Sequence, residues 1–159
     1  LKYNTMERFC LKGNDFQANV SNSFSTLRKE NDFYDVSLVS DDDKVVSAHK
    51  VVLSASSEFF KSILRKADHS KPMIYLSGVR STDLNCILDY IYEGEVQLYQ
   101  EDLDNFLDVA QKLKINGLIG GGVEYEKEEV PEVDLDDGMH KSFEESSPSN
   151  DEKIQIRKK

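Results

Sequence analysis

Phe16, Val20, Phe24 and Leu27 recur at steps of four, four and three, which places them along one stripe of an α-helix. Asn14 or Asp15 is the expected N-cap, because a short side-chain oxygen accepts the unpaired amides of a first turn. The pattern fades in Arg28-Lys29-Glu30-Asn31. Val36-Ser37-Leu38-Val39 then reads as a strand, Asp41-Asp42-Asp43 as a turn, and Val45-Val46-Ser47-Ala48-His49 as the strand that completes a hairpin. Lys50 to Ser54 predicts a short helix with three apolar residues in a row, Val51, Val52 and Leu53. A second helix starts near Ser56 or Ser57 and carries Phe59, Phe60, Ile63 and Leu64. Ahead of it lies a polar loop from Lys66 to Pro72 and a strand at Met73-Ile74-Tyr75-Leu76.

After Gly78, Ser81-Thr82-Asp83 supply helix-start signals. Leu84, Ile87, Leu88 and Ile91 follow with the spacing of a buried helix face. Glu93-Gly94 ends that helix, and Glu95-Val96-Gln97-Leu98 predicts a strand. A last helix holds Leu103, Phe106, Leu107, Ala110 and Leu113, with Asn116-Gly117 as its expected cap. Helices and short strands interleave without a regular strand–helix–strand repeat, which predicts an α+β fold.

Past Ile119 the periodicity stops. Gly120-Gly121-Gly122 opens a stretch rich in Glu, Asp, Ser, Lys and Pro, read as an acidic disordered linker or tail over 120–159. Residues 1–8 read as a disordered N-terminus or an appended remnant. The hydrophobic share of 38% is low for a wholly folded chain of 159 residues, in keeping with one domain and a tail. Charge sharpens that division. Residues 1–119 carry 18 acidic and 14 basic side chains, residues 120–159 carry 12 and 6, and the whole chain has a formal charge of −10. Without a clustered basic face, the segment is not expected to bind nucleic acid directly. No apolar run approaches the roughly 20 residues of a membrane-spanning helix, so no membrane partner is expected. Cys10 and Cys86 are too few for a disulfide framework or a four-ligand zinc site, and read as reduced, mostly buried thiols.

Candidate chemistry is sparse. His49 stands alone between Ala48 and Lys50, which favours a hydrogen-bonded structural histidine at a strand–helix junction. Ser54, Ser56 and Ser57 lack a nucleophile elbow or a base and read as helix-end residues. The glycine triplet follows a helix instead of opening one, so it is no phosphate cradle. Ser146-Ser147-Pro148 and Arg157-Lys158-Lys159 are weak signals for phosphorylation and nuclear import. No catalytic, cofactor-binding or metal-ligating residue is assigned, and no enzymatic activity is expected.

The middle of the chain resembles the BTB/POZ family. The residues that carry the resemblance are Asp35-Val36-Ser37-Leu38, the run from Ala48-His49-Lys50 to Glu58-Phe59-Phe60, Tyr92-Glu93-Gly94-Glu95-Val96, and Ala110-Gln111-Lys112-Leu113 through Leu118. Together they cover residues 9–119 in order. Phe9-Cys10-Leu11-Lys12-Gly13-Asn14-Asp15-Phe16 looks like the start of the tramtrack-type subgroup of transcription and chromatin factors, with Gly13 where that subgroup has tryptophan. Loss of a packed indole would cost about 3–5 kcal/mol were the position buried.

The resemblance implies a helical cluster flanked by a short, mostly three-stranded sheet, with an N-terminal dimerisation helix. It implies a two-fold homodimer with an exchanged N-terminal strand, and tramtrack-type members tend to assemble such dimers further, so a dimer and a higher oligomer are both open. Other BTB proteins or co-regulators are the further partners it allows. DNA binding, often by zinc fingers, would lie elsewhere in a longer nuclear protein. By periodicity alone the Phe16, Val20, Phe24 and Leu27 stripe would pack on its own domain, and Phe9 and Leu11 would fray. The resemblance assigns all six to a dimer interface. It also assigns Asp35 and Lys50 to a charged pocket at the dimer base, where an ion pair would fix register more than add stability. The alternative function is a substrate adaptor for a cullin-type ubiquitin ligase, although such adaptors carry a helical extension where this chain has glycines and acids. A channel-assembly domain is a third reading, and that branch lacks the N-terminal helix.

Overall fold

A computed structural model describes residues 8–119, 125–128 and 153–157. Residues 1–7, 120–124, 129–152, 158 and 159 lie outside the described residues, and so do the Ser146-Ser147-Pro148 signal and most of the expected tail. Helix α1 spans Phe16–Glu30, followed by the hairpin β1 (Val36–Val39) and β2 (Val45–Ala48). Helices α2 (Lys50–Ser56) and α3 (Glu58–Lys66) lead to β3 (Met73–Tyr75). Then come α4 (Ser81–Glu93), β4 (Glu95–Tyr99) and α5 (Gln100–Lys112). Two further strands, β5 (Tyr125–Glu128) and β6 (Lys153–Arg157), lie in the expected tail.

β1 is the central strand of a three-stranded sheet of order β2-β1-β3. It pairs antiparallel with β2, Leu38 opposite Val46, and parallel with β3, Leu38 opposite Ile74. A parallel neighbour needs a crossover, which α2 and α3 supply. Val36 and Leu38 face inward and are fully buried, as the alternation in β1 predicts. α4 is the central helix. Its predicted face (Leu84, Ile87, Leu88, Ile91) is buried, and so are Tyr90 and Tyr92 on other sides, because neighbours cover it nearly all round. Tyr90 meets Phe106 of α5 edge-on, with ring centroids 6.5 Å apart.

The boundaries differ from the sequence reading in instructive ways. Asp15 stands at the start of α1 in a left-handed conformation (φ 55°) and makes no side-chain cap bond. The end of α1 is closed by Asn31, also left-handed, whose amide reaches back to the carbonyls of Arg28 and Leu27. α5 stops at Lys112, earlier than the Asn116-Gly117 signal suggested. Gly117 is needed all the same: its φ is +86°, and a Cβ there would sit 2.9 Å from the Tyr90 hydroxyl. Ser57 separates α2 from α3, and its fully buried hydroxyl accepts from the Phe60 amide and donates to the Leu113 carbonyl. Ser57 also bridges to Ile115, while the Asn116 amide donates to the Ser56 carbonyl, so the end of α5 is sewn to the helix pair.

The largest departure lies beyond residue 119. The acidic tail was expected to be without structure, yet β6 pairs antiparallel with β4, and β5 pairs with β6. Overall composition hid the local pattern. Ile154 and Ile156 alternate with Lys153, Gln155 and Arg157, the period of a strand.

The turn of the β1–β2 hairpin reaches over to α4. The hydroxyl and amide of Ser81 donate to the Asp42 carboxylate at 2.6 and 2.7 Å, which satisfies an amide left over at the helix start. Those bonds, with help from the Ser40 hydroxyl, hold the Asp42 carboxyl well below the usual carboxylate range. A lowered carboxyl contributes stability that is full above its unfolded value, about pH 4, and is lost as pH falls through the folded one. The denaturant midpoint of Asp42→Ala should therefore fall below wild type near neutrality, and the gap should narrow in acid. A gap that stayed constant down to strongly acidic pH would show that the charge plays no part.

Candidate protein-interaction surface

α1 is held to the body mainly by polar contacts. The Ser25 hydroxyl donates to the Tyr92 carbonyl at 2.8 Å, and Ser25 is the one buried residue of this helix. Arg28 pairs with Asp89 at 2.7 Å, and its guanidinium lies 5.2 Å from the centre of the Tyr92 ring. Lys29 meets Glu93 at 3.0 Å. The apolar stripe divides. Phe24 is half-buried against the core, and Leu27 is also half-buried. Phe16 is 70% exposed, and Val20 too lies at the surface.

Beside Phe24 runs a groove of about 200 Å³, lined by Ser21, Phe24, Val51, Ala55, Ile91 and Tyr92. Val51 is 62% exposed on its rim. The sequence reading missed Val51 as a surface residue, although its signal was present. Three consecutive apolar positions turn through about 100° each in a helix, so they cannot all face inward. Val52 and Leu53 are buried and Val51 is not. Phe16, Val20, Phe24 and Val51 thus form an apolar surface that the chain's own core leaves largely uncovered.

Phe9 and Leu11 are 82% and 95% exposed, and among the described residues 8–13 belong to no strand. Gly13 has no atom within 4 Å of where a Cβ would stand. In the single chain the position is open, so the cost of a missing indole does not arise within it. Cys10, expected to be buried, is exposed because the segment carrying it packs on nothing described, whereas Cys86 is half-buried. Burial, and then the nearby Asp89, push the Cys86 thiol up and away from its reactive form.

Asp35 and Lys50 do come together, but not as the expected ion pair. The Asp35 carboxylate accepts from the backbone amide of Lys50 at 2.7 Å, at the start of α2. The Lys50 ammonium turns away to the carbonyls of Ser70 and His69, at 2.6 and 3.2 Å. A helix start offers a fixed amide donor to a carboxylate, and two carbonyls satisfy the ammonium. His49 is structural, as its isolation suggested. Its ring nitrogens lie 2.7 Å from the Tyr92 hydroxyl and 2.8 Å from the Asp32 carbonyl. A carbonyl only accepts, so in the singly protonated ring Nε2 carries the hydrogen and Nδ1 accepts from Tyr92. The Tyr92 oxygen in turn accepts from the His49 amide at 3.0 Å. Burial pushes the Tyr92 phenol up to about 12, which keeps that hydroxyl protonated.

The comparison with protein families matches residues 24–130 to the model of the BTB/POZ domain. Among curated relatives, the chain is 44% identical over 112 residues to the Longitudinals lacking protein-like of Drosophila melanogaster, covering 70% of this chain and 87% of that one. It is 42% identical over 123 residues to the Drosophila protein abrupt, covering 76% of this chain but 14% of abrupt. Among solved structures, the BTB domain of zebrafish PATZ1 matches with a TM-score of 0.62 and 22% identity, covering 70% of this chain and 92% of that one. The BTB domain of human gigaxonin matches at 0.61 and 24%, covering 71% and 92%.

Proposed function

The chain belongs to the BTB/POZ family, and from that membership we propose that it is the self-associating module of a nuclear transcription or chromatin regulator. The observation that carries the reading is the uncovered apolar face of α1 and α2, centred on Phe16, Val20, Phe24 and Val51. A two-fold dimer covers such a face with its own copy, because the same patch serves both partners. Phe9 and Leu11 would be covered on a sheet edge of the second copy, where a short segment also satisfies its amides. Leu27 lies at the foot of the same stripe and belongs to the same surface. Asp35 holds the Lys50 amide at the start of α2, the helix that carries Val51.

Self-association of this kind gathers two or more DNA-binding regions, supplied elsewhere in a longer protein, so that each need bind only weakly. Light scattering on a sizing column across a dilution series is the direct test. The expected mass is that of two chains and survives dilution. A mass of four or more would add assembly of dimers, as in tramtrack-type members. A monomer at every concentration would overturn the reading.

A further inference from the structure

β4 alternates exposed Glu95, Gln97 and Tyr99 with buried Val96 and Leu98. Its antiparallel neighbour β6 places Arg157 opposite Glu95, Ile156 opposite Val96 and Ile154 opposite Leu98. In this register the apolar positions of the two strands stand opposite one another, and the basic end of β6 stands opposite the acidic start of β4. The sequence of β6, Lys153-Ile154-Gln155-Ile156-Arg157, reads basic, apolar, uncharged, apolar, basic. The same five-place pattern recurs at Arg8-Phe9-Cys10-Leu11-Lys12. It is identical in either chain direction. That second segment is exposed and belongs to no strand among the described residues.

We infer that the edge of β4 is a strand-acceptor site shared by two segments of one design: the chain's own β6 and residues 8–12 of a second copy. Only one strand pairs with one edge at a time. The C-terminal strand is therefore an internal stand-in that keeps the edge covered until the N-terminal segment of a partner displaces it. The inference rests on the proposed dimer only for the source of the second segment.

Hydrogen exchange on four full-length proteins tests it: wild type, Phe9→Asp/Leu11→Asp, Ile154→Pro/Ile156→Pro, and all four substitutions together. The readout is protection of the β4 amides that face the acceptor edge, with the α4 amides as the internal measure of folding. Each two-site variant is expected to keep β4 protected, because the remaining segment takes the edge. The four-site variant is expected to lose at least about tenfold in protection there, with α4 unchanged. Full loss in either two-site variant would overturn the sharing, and retained protection in the four-site variant would overturn the acceptor site. Mass measured on the same samples separates this from the dimer reading. A monomer with compensating protection would refute the dimer yet keep the shared edge, whereas a stable dimer without compensation would do the reverse.

Discussion

Phe24→Asp should yield aggregated or unfolded protein in place of a folded dimer. Phe24 packs half-buried against the core and walls the groove beside Val51 and Tyr92. In the proposed dimer a carboxylate at that point is enclosed between the core and the apolar face of the second copy. Burial of an unpaired charge costs several kcal/mol, against a total stability of about 5–15 kcal/mol for a domain. The penalty falls twice in the proposed dimer, once in each copy. Circular dichroism and mass measurement together check it. A soluble monomer that melts like wild type would show that the face is neither core nor interface.

Tyr92→Ala comes next in expected effect, because this one side chain joins three elements. Its hydroxyl serves both the amide and the ring of His49, and its ring lies under the Arg28 guanidinium and beside the His49 ring. The side chain is almost fully buried. Truncating a large buried aromatic costs about 3–5 kcal/mol, and here the loss should also loosen α1 by removing the surface on which Arg28 rests. Tyr92→Phe keeps the ring and orphans the His49 amide and Nδ1, at a cost of about 1–3 kcal/mol. Denaturant midpoints of the two variants separate packing from hydrogen bonding. Equal losses would mean that the hydroxyl carries the whole effect, and no loss in either would refute the joint described above.

Most of the fold was legible because its apolar residues keep time. Leu84, Ile87, Leu88 and Ile91 mark a helix face, and Val36 and Leu38 a strand face, before any contact is known. What escaped depends on which backbone groups meet across the chain. Ser81 and Asp42 are 39 residues apart, and nothing local shows that one carboxylate will serve the helix start. Asp35 and Lys50 were paired by the family resemblance, yet the donor that the carboxylate meets is an amide, which a sequence of side chains does not display. Val51 was readable from three consecutive apolar positions in a helix. β6 was readable from a five-residue alternation, and was lost when 40 residues were averaged into one composition.

The contacts that hold α1 to the body carry a consequence for synthesis. Ser25 waits for Tyr92, 67 positions later, and Arg28 for Asp89, 61 positions later. At about 5–20 residues per second, the first helix is made roughly 3–13 seconds before its partners on α4, Asp89 and Tyr92. During that interval the stripe proposed above as an interface is exposed to the same stripe on a neighbouring nascent chain of the polysome. Pairing between chains read from one message would then begin before either domain is complete, favouring partners of the same origin over mixed ones.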